Sequence, residues 1–203
     1  MSLAPGAAGP SAAPERGPRG PAGSVVLGVD PGTAVTGYGV VRRGADGALS
    51  LLECGVIRTD ARAPLPERLR DIHLGIVEVI TRTAPAVLAV EGVFYAKNAR
   101  TSVILGHARG AVLLAAALNG LQVAEYPPAE VKSAVVGAGR ATKDQVGLMV
   151  QRLLKLRDVP RPHDAADGVA LALTHCFRGF GPAAASSRPF NLRQMIGNTG
   201  GRR

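Results

Sequence analysis

Residues 24–59 read SVVLGVDPGTAVTGYGVVRRGADGALSLLECGVIRT, and this stretch decides the fold. Residues 24–29 form a short apolar run stopped by Asp30-Pro31-Gly32, a strand ended by a turn. Residues 36–43 and 49–59 are two more strand-like runs, separated by brief Gly-bearing breaks. Three consecutive strands joined so closely predict an antiparallel meander.

Downstream of the meander the apolar period changes. Leu69, Ile72, Ile76, Val79 and Ile80 recur at helical spacing across residues 66–83, with Pro66 suited to a first turn and Pro85 marking a stop. Residues 87–90 (VLAV) are apolar on both faces, as a central strand of a covered sheet must be, and the run ends at Glu91. A long Ala-rich helix is expected over 100–118, a short strand over 123–126 and a helix over 128–136. Thr142-Lys143-Asp144-Gln145 is a capping box that opens a helix through residue 156, and 163–176 form a final amphipathic helix. The order β-β-β-α-β-α-β-α-α-α predicts an α/β fold: a mixed sheet, part meander and part parallel, with helices on both faces.

The flanks differ in composition. Residues 1–23 are nearly all Ala, Pro, Gly and Ser, and they predict a disordered extension. They lack a continuous apolar stretch, so they do not read as a secretory signal. Residues 177–203 carry five arginines and no acid, which predicts a flexible basic tail after a domain spanning 24–176. The whole chain of 203 residues has a formal charge of +9. Such a balance favours polyanionic partners, nucleic acid above all, although a basic tail alone produces part of it. No uninterrupted apolar run reaches the roughly 18 residues of a membrane helix, so no membrane role is expected. Two cysteines, Cys54 and Cys176, exclude a disulfide scaffold; a reducing, cytoplasmic setting is expected.

The acids carry the chemistry. Asp30 stands just past the first predicted strand and Glu91 just past the fourth. If these strands lie side by side and parallel, both carboxylates emerge at one sheet edge, where open α/β sheets place their sites. Each also has an ordinary reading, Asp30 as a turn aspartate and Glu91 as a solvated strand end. Asp164 and Asp167, in HDAAD, share a helix face and sit where the macrodipole favours negative charge. Ala165 and Ala166 between them suggest close packing and an inward face. Four acids on three elements need a cation to be stable together, and hard oxygen ligands point to Mg²⁺ or Mn²⁺. In a basic domain this reads as a two-metal phosphodiester-cleaving site, with the ions about 4 Å apart.

Five blocks in order, VVLGVDPGTAVTGYGVV, AVEGVFYAKNARTSVILGHARG, EYPPAEVKSAVVGAG, ATKDQVGLMVQRLLKL and HDAADGVALALTHC, resemble the RuvC family of Holliday junction resolvases. The resemblance covers about residues 24–176. It implies a ribonuclease H-like fold and a Mg²⁺-dependent crossover junction endodeoxyribonuclease with two ions per site, Mn²⁺ able to substitute. The implied enzyme is a homodimer that nicks four-way DNA symmetrically and works with the RuvA and RuvB branch-migration complex. Asp30, Glu91, Asp164 and Asp167 match the family's catalytic, metal-binding acids. Some members use histidine at the third position, and His163 stands beside Asp164; Asp164 is taken here, with His163 as a neighbour that tunes or replaces it. Phe94 matches an aromatic that stacks on bases at the junction centre. Lys132 and Lys143 match basic residues that contact DNA, with Lys97, Arg100 and Arg109 as weaker phosphate-contact candidates. Three other readings stand beside this one: a ribonuclease H-like enzyme acting on ribosomal RNA precursors, a sugar-kinase or actin-like ATPase module, and a non-catalytic DNA-binding module.

Overall fold

The chain is described here from a computed structural model, for residues 23–92 and 99–179. The expected N-terminal extension, all but its last residue, and most of the basic tail lie outside the described residues, as do Phe94 and Lys97.

The elements are β1 (Ser24–Asp30), β2 (Val35–Arg43), β3 (Leu49–Arg58), α1 (Leu65–Thr83), β4 (Val87–Glu91), α2 (Ala99–Leu118), β5 (Gln122–Tyr126), α3 (Pro128–Val136), α4 (Lys143–Leu153) and α5 (His163–Arg178). They follow the predicted order. The strands form one sheet, β3-β2-β1-β4-β5. β1 and β2 pair antiparallel, as do β2 and β3, which is the predicted meander. β4 runs parallel to β1, and β5 parallel to β4.

Side-chain alternation along the strands splits the core into two layers. Leu27, Val29, Val40 and Leu88 point to one face and pack with α1 and α2 residues such as Ile72, Ile76 and Val112. Val26, Val41 and Ala89 point to the other, against α5, α3 and α4. Asp30 has the parity of Val26 and Gly28, and Glu91 that of Ala89. Both acids therefore leave their strands on the α5 face.

That face is unusually close to its helix. A Cβ on Gly28 would lie 2.1 Å from the Gly168 carbonyl oxygen, and one on Gly37 would lie 1.9 Å from that of Asp164. These two strand glycines let α5 lie directly on β1 and β2. The contact does not concern turns at all.

Most element ends fall within one residue of the prediction; two ends lie further off, and a third difference concerns composition. α4 stops at Leu153, not at 156, because Lys155 takes the left-handed conformation (φ 52°) and the Leu156 N–H returns to the Gln151 carbonyl. This is a glycine-type helix stop made without glycine. α5 continues two residues past 176, to Arg178, whose guanidinium pairs with Glu130 at 3.1 Å. The third concerns α2. Its Thr101–Leu118 segment, with a mean hydropathy of 1.5, is long and apolar enough to cross a membrane by length and composition. The criterion of an unbroken apolar run missed it because His107 and Arg109 interrupt the run. In the fold, Ala108, Val112, Ala115 and Ala116 of this helix are buried in the core layer shared with α1.

Candidate active site

Asp30 is the last residue of β1. Its partner across the antiparallel ladder is Gly37, the same glycine that touches the Asp164 backbone. On the other side, β1 and β4 pair up to Val29↔Val90, so Asp30 and Glu91 come one step further along neighbouring strands. α5 enters from above with its first turns over this edge. The turn after Asp30 is held by the buried Thr36, whose hydroxyl donates to the Gly32 carbonyl at 2.8 Å. A second tie, from the Thr59 hydroxyl to the Thr33 carbonyl at 2.5 Å, fastens the same loop to the end of β3. Sequence reasoning did not find these supports. The signal available was a threonine in an otherwise apolar strand.

The carboxylate oxygens of Asp30, Asp164 and Asp167 lie within 4.8 Å of one another. Glu91 stands outside that triad but lines the same cleft, a space of about 240 Å³ bounded also by Lys132, Lys143, Asp167 and Val131. Lys143, the first residue of α4, places its Nζ 2.7 Å from Asp167 Oδ2. The capping box predicted at Thr142 and Gln145 is formed, and it fixes that helix start beside the acids.

The electrostatics of the cleft follow from this crowding. Burial, then the Glu91 and Asp167 charges, push the Asp30 carboxyl up to about 7, and Lys143 opposes them. Glu91 is raised by burial and by Asp167, against Lys143, Lys132 and Arg109. Lys143 is held above its ordinary value by its hydrogen bond to Asp167. Four carboxylates facing two lysines leave the cleft short of positive charge. One acid then holds a proton, or a cation enters. An all-oxygen donor set in this state suits hard divalent ions, so the residues present fit the expected metals.

The structure thus brings together Asp30, Glu91, Asp164, Asp167, Lys132 and Lys143. His163 is exposed at the first position of α5, and the triad contains Asp164 in its vicinity. Arg109 is placed differently from the expectation of a phosphate contact. It is buried, with 9% of its surface exposed. Its Nη1 donates to the Glu91 main-chain carbonyl, and its Nη2 lies 2.6 Å from Glu125 Oε2. A guanidinium so engaged has few donors left for DNA. Glu125 was not singled out in the sequence.

Comparison with known proteins identifies the family. The sequence model of the family described as crossover junction endodeoxyribonuclease RuvC matches residues 26–175. The crossover junction endodeoxyribonuclease RuvC of Pelotomaculum thermopropionicum is 50% identical over 151 residues, covering 74% of this chain and 92% of that protein. The Thermus thermophilus RuvC structure superposes with a TM-score of 0.71 at 41% identity, covering 76% of this chain and 95% of that one. The same protein in complex with a Holliday junction substrate gives a TM-score of 0.70 at 38% identity, covering 76% and 94%. A family match across the whole described domain, on a mixed sheet with these acids at one edge, leaves one assignment: the chain belongs to the RuvC family of crossover junction endodeoxyribonucleases.

Proposed function

We propose that the acidic cleft at the β1–β4 edge is where this endonuclease cuts four-way DNA junctions during recombination and repair. The observation that supports this most directly is the meeting of three distant parts of the chain: Asp30, Glu91 and Asp167 line one cleft with two lysines, and Asp164 stands within 4.8 Å of Asp30 and Asp167. These acids would hold two Mg²⁺ ions, or Mn²⁺ in their place. When bound, such ions make water a nucleophile at neutral pH and offset the charge on the departing 3′ oxygen.

The rest of the mechanism belongs to the chain's own residues. The Asp30 carboxyl, half-buried and surrounded by acids, releases its proton when positive charge enters the cleft. Lys143 lines the cleft and is bonded to Asp167, so it can follow the scissile phosphate once Asp167 is otherwise engaged. Lys132 adds a second positive charge on the Glu91 side. Phe94, three residues beyond Glu91, would stack on an unpaired base at the junction centre, a contact worth about 1–3 kcal/mol. Lys97, three residues further on, would meet a phosphate.

Two equivalent strands need two equivalent sites, which argues for a two-fold dimer. The helix suited to it is α2. Val103, Leu114 and Leu118 are more than half exposed along one side, and Gly106 and Gly110 have open space where a Cβ would stand. Small residues on such a face let two helices approach closely. Work with a RuvA and RuvB branch-migration complex, and a cytoplasmic setting, complete the proposal.

The test is nick mapping on a four-way DNA junction, labelled on each strand in turn, with Mg²⁺ present. Paired nicks at symmetric positions on two opposing strands are expected. Equal or faster cutting of a structured RNA, or unpaired nicks scattered over all four strands, would overturn the assignment.

A further inference from the structure

Arg109 is a buried charge in the middle of an apolar helix, and such a residue needs a reason to be there. Its two contacts go to two different strands. Nη1 binds the main-chain carbonyl of Glu91, the last residue of β4. Nη2 binds the carboxylate of Glu125 on β5, at 2.6 Å, and Glu125 is the ladder partner of Val90, the residue before Glu91. The guanidinium therefore ties α2 to the end of β4 and to the strand beside it.

From this geometry we infer that Arg109 is a positioning residue for cleavage, fixing the main chain of Glu91 and hence the direction from which its carboxylate enters the cleft. The inference rests on the proposed reading of Glu91 as a metal ligand. A rotation of the Glu91–Gly92 peptide would swing the Glu91 Cβ; the Gly92 N–H holds that peptide on one side, donating to the Tyr126 carbonyl at 2.9 Å, and Arg109 holds its carbonyl on the other. Among the described residues, Glu91 is also the one acid of the cleft that stands outside the close triad. Its approach is thus the least constrained by its fellow ligands. Arginine suits the task because its rigid planar fork presents N–H groups at a fixed spacing to two acceptors at once, whereas the compact lysine ammonium has no such fixed fork. The same helix carries the apolar face proposed for the dimer, so α2 would join the assembly of two subunits to the placing of a ligand in each.

The experiment compares wild type with Arg109→Lys, Arg109→Met, Glu125→Gln and, as a control, Glu91→Gln. Three quantities are read: Mn²⁺ affinity by calorimetry without DNA, junction affinity without Mg²⁺, and single-turnover cleavage against Mg²⁺ concentration. Ligand-supporting contacts of this kind alter metal affinity by about 10–100-fold. Arg109→Lys is therefore expected to weaken Mn²⁺ binding and to raise the half-saturating Mg²⁺ by about tenfold. Junction affinity should stay within about twofold, and cleavage should recover largely at high metal. Arg109→Met should lose more, and Glu125→Gln should shift the metal dependence less but in the same direction. If Arg109→Met fails to fold, Arg109→Lys and Glu125→Gln decide.

Folded Arg109→Lys and Glu125→Gln proteins with wild-type metal affinity and wild-type metal dependence would overturn the inference. A Glu91→Gln protein that binds Mn²⁺ like wild type would instead overturn the ligand reading on which it rests. Loss in Glu91→Gln together with no loss in the Arg109 variants would sink the positioning role alone.

Discussion

Helices α5 and α2 cover opposite faces of one sheet, and both are rich in alanine, yet they are buried very differently. α5 is buried at every position from Gly168 to Cys176, and it reaches the sheet so closely that Gly28 and Gly37 touch its backbone. α2 buries one side, including Ala108, Arg109, Val112 and Ala115, and leaves Val103, Leu114 and Leu118 in the open. The difference matches what each carries. The acids of α5 must meet strand-end acids within a few ångströms, and only backbone-to-backbone packing holds them there. α2 has a second face still to be covered. One helix is built for placement and the other for placement on one side and assembly on the other.

The largest effect expected is on the α5 side. Asp167→Asn and Glu91→Gln should each reduce junction cleavage by about 10³-fold or more, because each removes a charged oxygen donor from the cleft. Junction affinity should hold or improve, since an acid that repels phosphate has gone. Filter-bound or gel-shifted complexes measured beside single-turnover rates check this. A parallel fall in affinity and rate would show that these acids hold the fold and not the reaction.

The next prediction strikes at the close packing itself. Gly28→Ala puts a methyl group 2.1 Å from the Gly168 oxygen and 2.5 Å from the Ala172 nitrogen, both backbone atoms that cannot turn aside. A loss of about 3 kcal/mol in urea unfolding is expected, and α5 should ride outward. Cleavage should fall with it. A variant as stable as wild type would mean that α5 has room to move, and the contrast with α2 would lose its basis.

Much of this was legible in the sequence, and what was missed has a common cause. Apolar period and turn residues gave every element in order, because those signals are local. The strand-end positions of Asp30 and Glu91 and the spacing of Asp164 and Asp167 were also local. Their convergence was not. It depends on Gly28, Gly37 and Gly168, which stand inside predicted strands and a predicted helix, where nothing in the sequence marks them as the contact surfaces they are in the fold. Arg109 shows the same limit. An arginine in an Ala-rich helix reads as a surface charge until the strand ends that receive it, at Glu91 and Glu125, are placed beside it. Lys155 ended α4 in a conformation that sequence rules assign to glycine.

A pH measurement sharpens the comparison from the acid side. Without metal, the folded protein holds the Asp30 proton up to about 7, while the unfolded chain releases it near 3.8. The folded state therefore binds more protons between these values, and stability from this group is full below the lower one and lost as pH rises through the upper one. Asp30→Asn keeps a neutral side chain at every pH. Its melting temperature should match wild type near about pH 4 and exceed it by about 4 °C near pH 8. Saturating Mg²⁺ should stabilise wild type and close the gap. Parallel melting curves across the range, with no divergence above the unfolded value, would remove the crowding of the acids as an energetic fact.

The smallest effect belongs to α2. Gly110 has open space at its Cβ position, so Gly110→Ala costs nothing in the monomer and gains helix propensity, up to about 1 kcal/mol. In a dimer whose helices meet at this face, the same methyl group holds the two backbones apart. Urea unfolding at concentrations low enough to keep the chain monomeric should thus show equal or greater stability, while sedimentation shows self-association weaker by about tenfold, or about 1.4 kcal/mol. The two readings separate because they report different sides of one residue. At Gly28 no such separation is possible, since its open side is already filled by α5. If Gly110→Ala strengthened the fold and left association untouched, α2 would still be the helix with a spare face, but the two-fold contact would have to be sought along Val103 or Leu118 and away from its middle.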